Sequence, residues 1–117
     1  MKYFFDYHTD ALSFDLAESF DCTGNEPLGP GVTLHVDQSR RPLMLEIQGA
    51  SKIADTSGLK AMRESPITME EIARRLSATA PGERIWRKIS HRIVDGGDGS
   101  QKKRLAIPDL ASPFSIR

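Results

Sequence analysis

A chain of 117 residues, 38% hydrophobic and 27% charged, has the size and composition of one globular domain, or of one small domain with an appendage. Its 16 basic and 16 acidic side chains balance, and its single cysteine, Cys22, excludes an intramolecular disulfide and any metal site built on several thiolates. No apolar run approaches bilayer length, and the opening Met1-Lys2-Tyr3-Phe4-Phe5-Asp6 lacks the long apolar core of a signal peptide, so the expectation is a cytoplasmic protein with no membrane partner.

The first fifty residues read as four short strands. Apolar side chains alternate at period two in Tyr3, Phe5, Tyr7, then Leu12, Phe14, Leu16, then Val32, Leu34, Val36, and then Leu43, Leu45, Ile47. Tyr7-His8-Thr9-Asp10 is too short for a parallel crossover, so the first two strands pair antiparallel. The stretch from Glu18 to Pro30, rich in Gly and Pro, reads as a long loop, and Cys22 within it as a small half-buried residue near a turn. Gln38-Ser39-Arg40-Arg41-Pro42 turns the chain into the fourth strand, where Pro42 suits the first position because it has no N–H to pair. One face of this sheet is apolar and the other mostly polar, so something must cover the first.

Thr9-Asp10-Ala11-Leu12 leading into a strand, Gly31-Val32 opening a run that ends in Val36-Asp37, and Leu45-Glu46-Ile47 closing on Gly49-Ala50-Ser51-Lys52 together resemble domain-of-unknown-function family 2283, a family of short bacterial proteins. The resemblance spans about residues 2–52. The central turn departs from it, with Ser39-Arg40-Arg41-Pro42 where the family has an acid and a glycine, and the loop from Glu18 to Pro30 carries extra Pro and Gly. What the resemblance implies is a small antiparallel meander. It brings no activity and no catalytic residue.

Residues 53–67 read as a linker or short helix, ended by Ser65-Pro66. Residues 68–117 read as a helix pair followed by a turn, a short strand and an apolar tail, packed with residues 1–52 as one unit. Thr68 and Glu71 form a capping box; Met69, Ile72, Ala73 and Leu76 fall on one stripe, with Glu70, Glu71, Arg74 and Arg75 opposite. Ala80-Pro81-Gly82 reads as the stop of this helix. A second helix from about Glu83 to Val94 has Ile85, Trp86, Ile89 and Ile93 on its apolar face and Arg84, Arg87, Lys88 and His91 on a basic stripe. Asp95 to Ser100 reads as a turn and Lys102 to Ile107 as a strand; Leu110, Phe114 and Ile116 make the tail too apolar to be idle.

The halves differ in charge. Residues 1–50 hold three basic against eight acidic side chains, a net of −5, and residues 51–117 hold thirteen against eight, a net of +5. Such halves attract each other, or the second attracts an acidic partner.

Catalytic patterns are scarce. His8, His35 and His91 show no metal-ligand spacing, although His8 with Asp10 and His35 with Asp37 would converge if their strands were neighbours. Asp95-Gly96-Gly97-Asp98-Gly99 lacks the distal glutamate of a calcium loop, and no phosphate-binding glycine loop or nucleophile elbow is present. Asp15 and Glu46 share the wetter sheet face, but spacing does not select them as an acid–base pair. With no nucleophile or base to nominate, the expectation is a non-catalytic binding or assembly module of the α+β class: a four-stranded antiparallel meander with a helix pair packed on it, working as a homodimer without cofactor. The alternative is a DNA-binding regulator with a winged-helix-like second half, in which Arg84, Arg87, Lys88 and His91 face DNA and Lys102, Lys103 and Arg104 contact phosphates. An acidic protein is the other partner that would fit the basic half. Against the winged helix stands the long, proline-containing turn read over Ser77 to Gly82.

Overall fold

The alternating segments assemble into one antiparallel sheet. The computed structural model describes residues 1–18 and 21–96. The strands are β1 (Lys2–Asp6), β2 (Ala11–Asp15), β3 (Gly24–Gly29), β4 (Val32–Val36), β5 (Pro42–Gln48) and β6 (Ser65–Pro66), in the spatial order β3-β4-β5-β2-β1-β6. Two helices follow, α1 (Met69–Leu76) and α2 (Ala80–Gly96), so the class is α+β as the patterning predicts.

The four predicted strands are β1, β2, β4 and β5. Their order differs from a simple meander. The β1–β2 hairpin and the β3–β4–β5 meander are separate units, joined where Phe14 faces Leu45 and Leu12 faces Ile47 across β2 and β5. The next strand after β2 in sequence, β3, lies at the far edge beyond β5 and β4, inside the stretch read as a loop. There Pro27 is tolerated because an edge strand leaves one side unpaired. The predicted stop Ser65-Pro66 is instead a two-residue strand on the opposite edge, with Ser65 across from Tyr3. Gly31, at φ 75°, turns β3 into β4 beneath the chain: a Cβ there would meet the Gln48 carbonyl at 3.0 Å.

Leu12, Phe14, Val32, Leu34, Leu45 and Ile47 line the covered face at 2% exposure or less. Ile72 and Leu76 of α1 and Ile85, Ile89 and Ile93 of α2 close over them as one cluster, so the apolar face is covered within the chain. Each such side chain contributes on the order of 1.5–3 kcal/mol by leaving water.

Residues 53–64 form an irregular strap rather than a helix, after a short 3₁₀ turn at Ala50–Lys52. The strap is fastened by Lys60 N–H donating to the Tyr3 hydroxyl (2.8 Å) and Met62 N–H donating to the Phe5 carbonyl (2.8 Å). Arg75 is a further correction. It is buried at 6% exposure, not solvated, and its guanidinium donates to the Asp55 and Ser57 carbonyls (2.7 Å each) and to Glu71. The predicted turn from Asp95 begins inside α2, which runs through Gly96. The predicted strand from Lys102 to Ile107 and the apolar tail lie outside the described residues.

Candidate functional site

Thr68 caps α1 by accepting from Glu71 N–H (3.1 Å), with Glu70 and Glu71 in the first turn. The helix closes at Ser77, whose N–H donates to the Ala73 carbonyl (2.9 Å). Only Ser77, Ala78 and Thr79 separate the two helices. Pro81-Gly82 does not stop α1 but lies in the first turn of α2, where a proline's missing N–H has no helical partner to lose. The Thr79 hydroxyl accepts from Gly82 N–H (2.9 Å), and its carbonyl from Glu83 N–H (2.9 Å). The inter-helix turn thus has the short length typical of helix-turn-helix motifs, and the long turn expected from sequence is corrected.

Ile85, Ile89 and Ile93 recur at four-residue spacing and pin α2 to the sheet. On the outer side Arg84, Arg87, Lys88 and His91 are all exposed, as their spacing predicts. Arg87 meets Glu83 one turn back (3.0 Å), a surface pair contributing only a few tenths of a kcal/mol. Lys88 Nζ donates to the Leu28 carbonyl at 3.3 Å. Arg84 and His91 have no ion-pair partner among the described residues. Lys102, Lys103 and Arg104 lie outside the described residues. Beside this stripe a cleft of ≈ 130 Å³ is lined by Leu28, Pro30, Val32 and Ile85, with Arg84 and Lys88 also on its wall. It is well below the roughly 300 Å³ at which ordinary small-molecule sites begin.

The fourth cation of α2 is committed elsewhere. Arg92 donates to both carboxylate oxygens of Glu26 (2.9 and 3.2 Å) and to the Arg40 carbonyl (3.0 Å). Arg40 reaches the same carboxylate from the β4–β5 turn (2.8 Å). Hydrogen bonds from Arg40 and then Arg92 hold the Glu26 carboxyl at about 2, well below its usual range. Attraction between the acidic and basic halves is therefore realised in part within one chain.

The wetter sheet face brings together residues that sequence spacing leaves apart. His35 on β4 and Glu46 on β5 are diagonal neighbours in the register, with Nε2 to Oε1 at 2.9 Å. Cys22, read as half-buried, is exposed, and its Sγ lies 3.8 Å from His35 Nδ1. Asp37 does not pair with His35; its carboxylate accepts from Ser39 and Arg41 N–H groups in the turn (2.8 and 2.9 Å). Asp10, likewise, accepts from Ser51 N–H and from the Ser51 hydroxyl (2.7 Å) instead of meeting His8, which stacks on Tyr7 with ring centroids 4.2 Å apart. Asp15 faces Met44 rather than Glu46, and burial, then the charge of Glu64, raise its carboxyl above the usual range. Among the described residues no group of three or more His, Cys, Asp or Glu is placed to hold a metal ion, and no helix is long and apolar enough to cross a membrane. No protein-family model, curated protein or solved structure matches the chain.

Proposed function

We propose that this protein is a non-catalytic binding module whose working surface is the outer face of α2, and that its partner is a phosphodiester polyanion such as duplex DNA. One observation carries the reading: a capped helix and a three-residue turn lead into a helix anchored by three buried isoleucines, which leaves Arg84, Arg87, Lys88 and His91 together on its solvent side. The cations Arg84, Arg87 and Lys88, in a rigid row at helical spacing, match closely spaced phosphates, and the small size of the neighbouring cleft argues against a small-molecule ligand. The resemblance of residues 2–52 to family 2283 is compatible with this division of labour, in which the sheet serves as platform. The reading places the chain in the cytoplasm.

Homodimerisation belongs to the same reading. Met1, Phe4, Tyr7 and Met62 are exposed apolar side chains in or near β1 and the strap beside it, surface that a second copy would cover. Fluorescence anisotropy with a mixed-sequence duplex, with particle mass read by light scattering in the same buffer, tests both points. The expectation is binding at low salt that weakens steeply as salt rises, a shallower salt slope in the Arg84→Ala, Lys88→Ala double variant, and a mass of two chains. Absence of binding at low salt overturns the nucleic-acid reading, and a one-chain mass at all concentrations overturns the dimer.

A further inference from the structure

We infer that Cys22, His35 and Glu46 form a proton relay that makes Cys22 a site of covalent exchange with low-molecular-weight disulfides. The inference is independent of the reading of α2, since these residues lie before β3, on β4 and on β5.

The geometry fixes the direction of the relay. A carboxylate only accepts hydrogen bonds, so the His35 nitrogen facing it, Nε2 at 2.9 Å from Glu46 Oε1, carries the ring proton. The neutral ring then has its lone pair on Nδ1, the nitrogen that faces Cys22 Sγ at 3.8 Å. The thiol's other neighbours are the Gly24 carbonyl (3.6 Å) and the Asn25 side-chain oxygen (3.9 Å). Both oxygens can accept the S–H hydrogen bond, but neither is a base. Among the described residues that contact Sγ, His35 alone can take the proton, and the imidazolium so formed is held by Glu46. His35 is itself mostly buried against the sheet, its side chain 17% exposed, whereas Cys22 is open to solvent. The base is therefore positioned and the nucleophile accessible.

An exposed thiol beside a base meets the needs of thiol–disulfide exchange. Acyl transfer needs donors aimed at a developing oxyanion in addition to an accessible thiol and a base. Thiol–disulfide exchange needs no such donors. The Cys22 proton passes to Nδ1, and Sγ attacks one sulfur of the small disulfide. A new S–S bond forms as the old one breaks, and the departing thiolate recovers the proton from Nδ1. The products are a mixed disulfide on Cys22 and one free small thiol, the oxidation of Cys22 matching the reduction of the leaving sulfur. Because the chain has one cysteine, no internal thiol resolves the mixed disulfide. It persists until an external thiol reverses it.

The test uses the full chain and bis(2-hydroxyethyl) disulfide, an uncharged probe, with mixed-disulfide formation followed by intact mass at neutral pH. The folded protein is expected to react about tenfold faster than the same chain in urea, His35→Gln to fall to the unfolded rate, and Glu46→Gln to lie between. A folded wild-type rate no higher than the unfolded one overturns the inference, whether or not the variants fold. So does a folded His35→Gln that reacts as fast as wild type.

Discussion

Arg74 and Arg75 are sequence neighbours with identical chemistry and opposite surroundings. Arg74 lies 60% exposed beside Asp55 and Glu71, whereas Arg75 is buried and supplies the hydrogen bonds of two carbonyls in the strap. Removing Arg75 leaves the Asp55 and Ser57 carbonyls and the Glu71 carboxylate without their donor, a loss on the order of 2–4 kcal/mol. Removing Arg74 deletes only exposed pairs, a change within about 0.5 kcal/mol. Urea unfolding of Arg75→Met and Arg74→Met measures the difference, and equal midpoints would show that the Arg75 side chain does not hold the strap. Helical spacing places Arg75 at the margin of the Ile72–Leu76 stripe. Its partners, however, are backbone carbonyls 18 and 20 residues earlier, and side-chain periodicity carries no signal for them. The Cys22, His35 and Glu46 cluster escapes notice for the same reason, since its members meet through strand register rather than spacing.

At the scale of elements, legibility follows how completely each one's sequence reports its own environment. β1, β2, β4 and β5 bury one face and wet the other, so their alternation is explicit. β3, Gly-Asn-Glu-Pro-Leu-Gly, has almost no apolar alternation and owes its extended form to pairing with β4. Strand order is likewise set by long-range pairing. Pro81-Gly82 misleads because the same dipeptide suits a helix stop and the first turn of a new helix. Gly82 is there for a packing reason: a Cβ at this position would collide with the Ile53 and Leu76 carbonyls, so glycine lets the two helices and the strap meet. On an open helix surface Gly→Ala gains about 1 kcal/mol in propensity. Here overpacking costs about 1–3 kcal/mol and reverses the sign. Thermal unfolding of Gly82→Ala should show a lowered Tm, and a raised one would mean that this crossing has room to spare.

At the scale of the whole molecule, the opposed charges of the two halves converge on Glu26, where an edge strand, a hairpin turn and the second helix meet. Arg40 is the first cause of the lowered Glu26 carboxyl, yet its side chain is 70% exposed and screened by water; Arg92, at 20%, is the partner that holds α2 against the sheet edge. The sign of the pH effect follows from the direction of the shift. Glu26 takes up a proton more readily unfolded, near its ordinary 4.5, than folded, at about 2. Its contribution is complete above the unfolded value and is lost as pH falls through that window. Asp15 acts oppositely: burial and Glu64 make its ionised form unfavourable in the fold, so protonating it with acid favours the native state. Urea midpoints measured from neutral pH down to about pH 2 should therefore decline along the acid limb in the wild type. In Glu26→Gln the midpoint should be lower at neutral pH and the decline shallower. In Asp15→Asn it should be higher at neutral pH and the decline steeper, because the opposing group is gone. Acid limbs that stay parallel in wild type and Glu26→Gln would mean that the charge of Glu26, between Arg40 and Arg92, contributes nothing to folding and does not help to position the basic face.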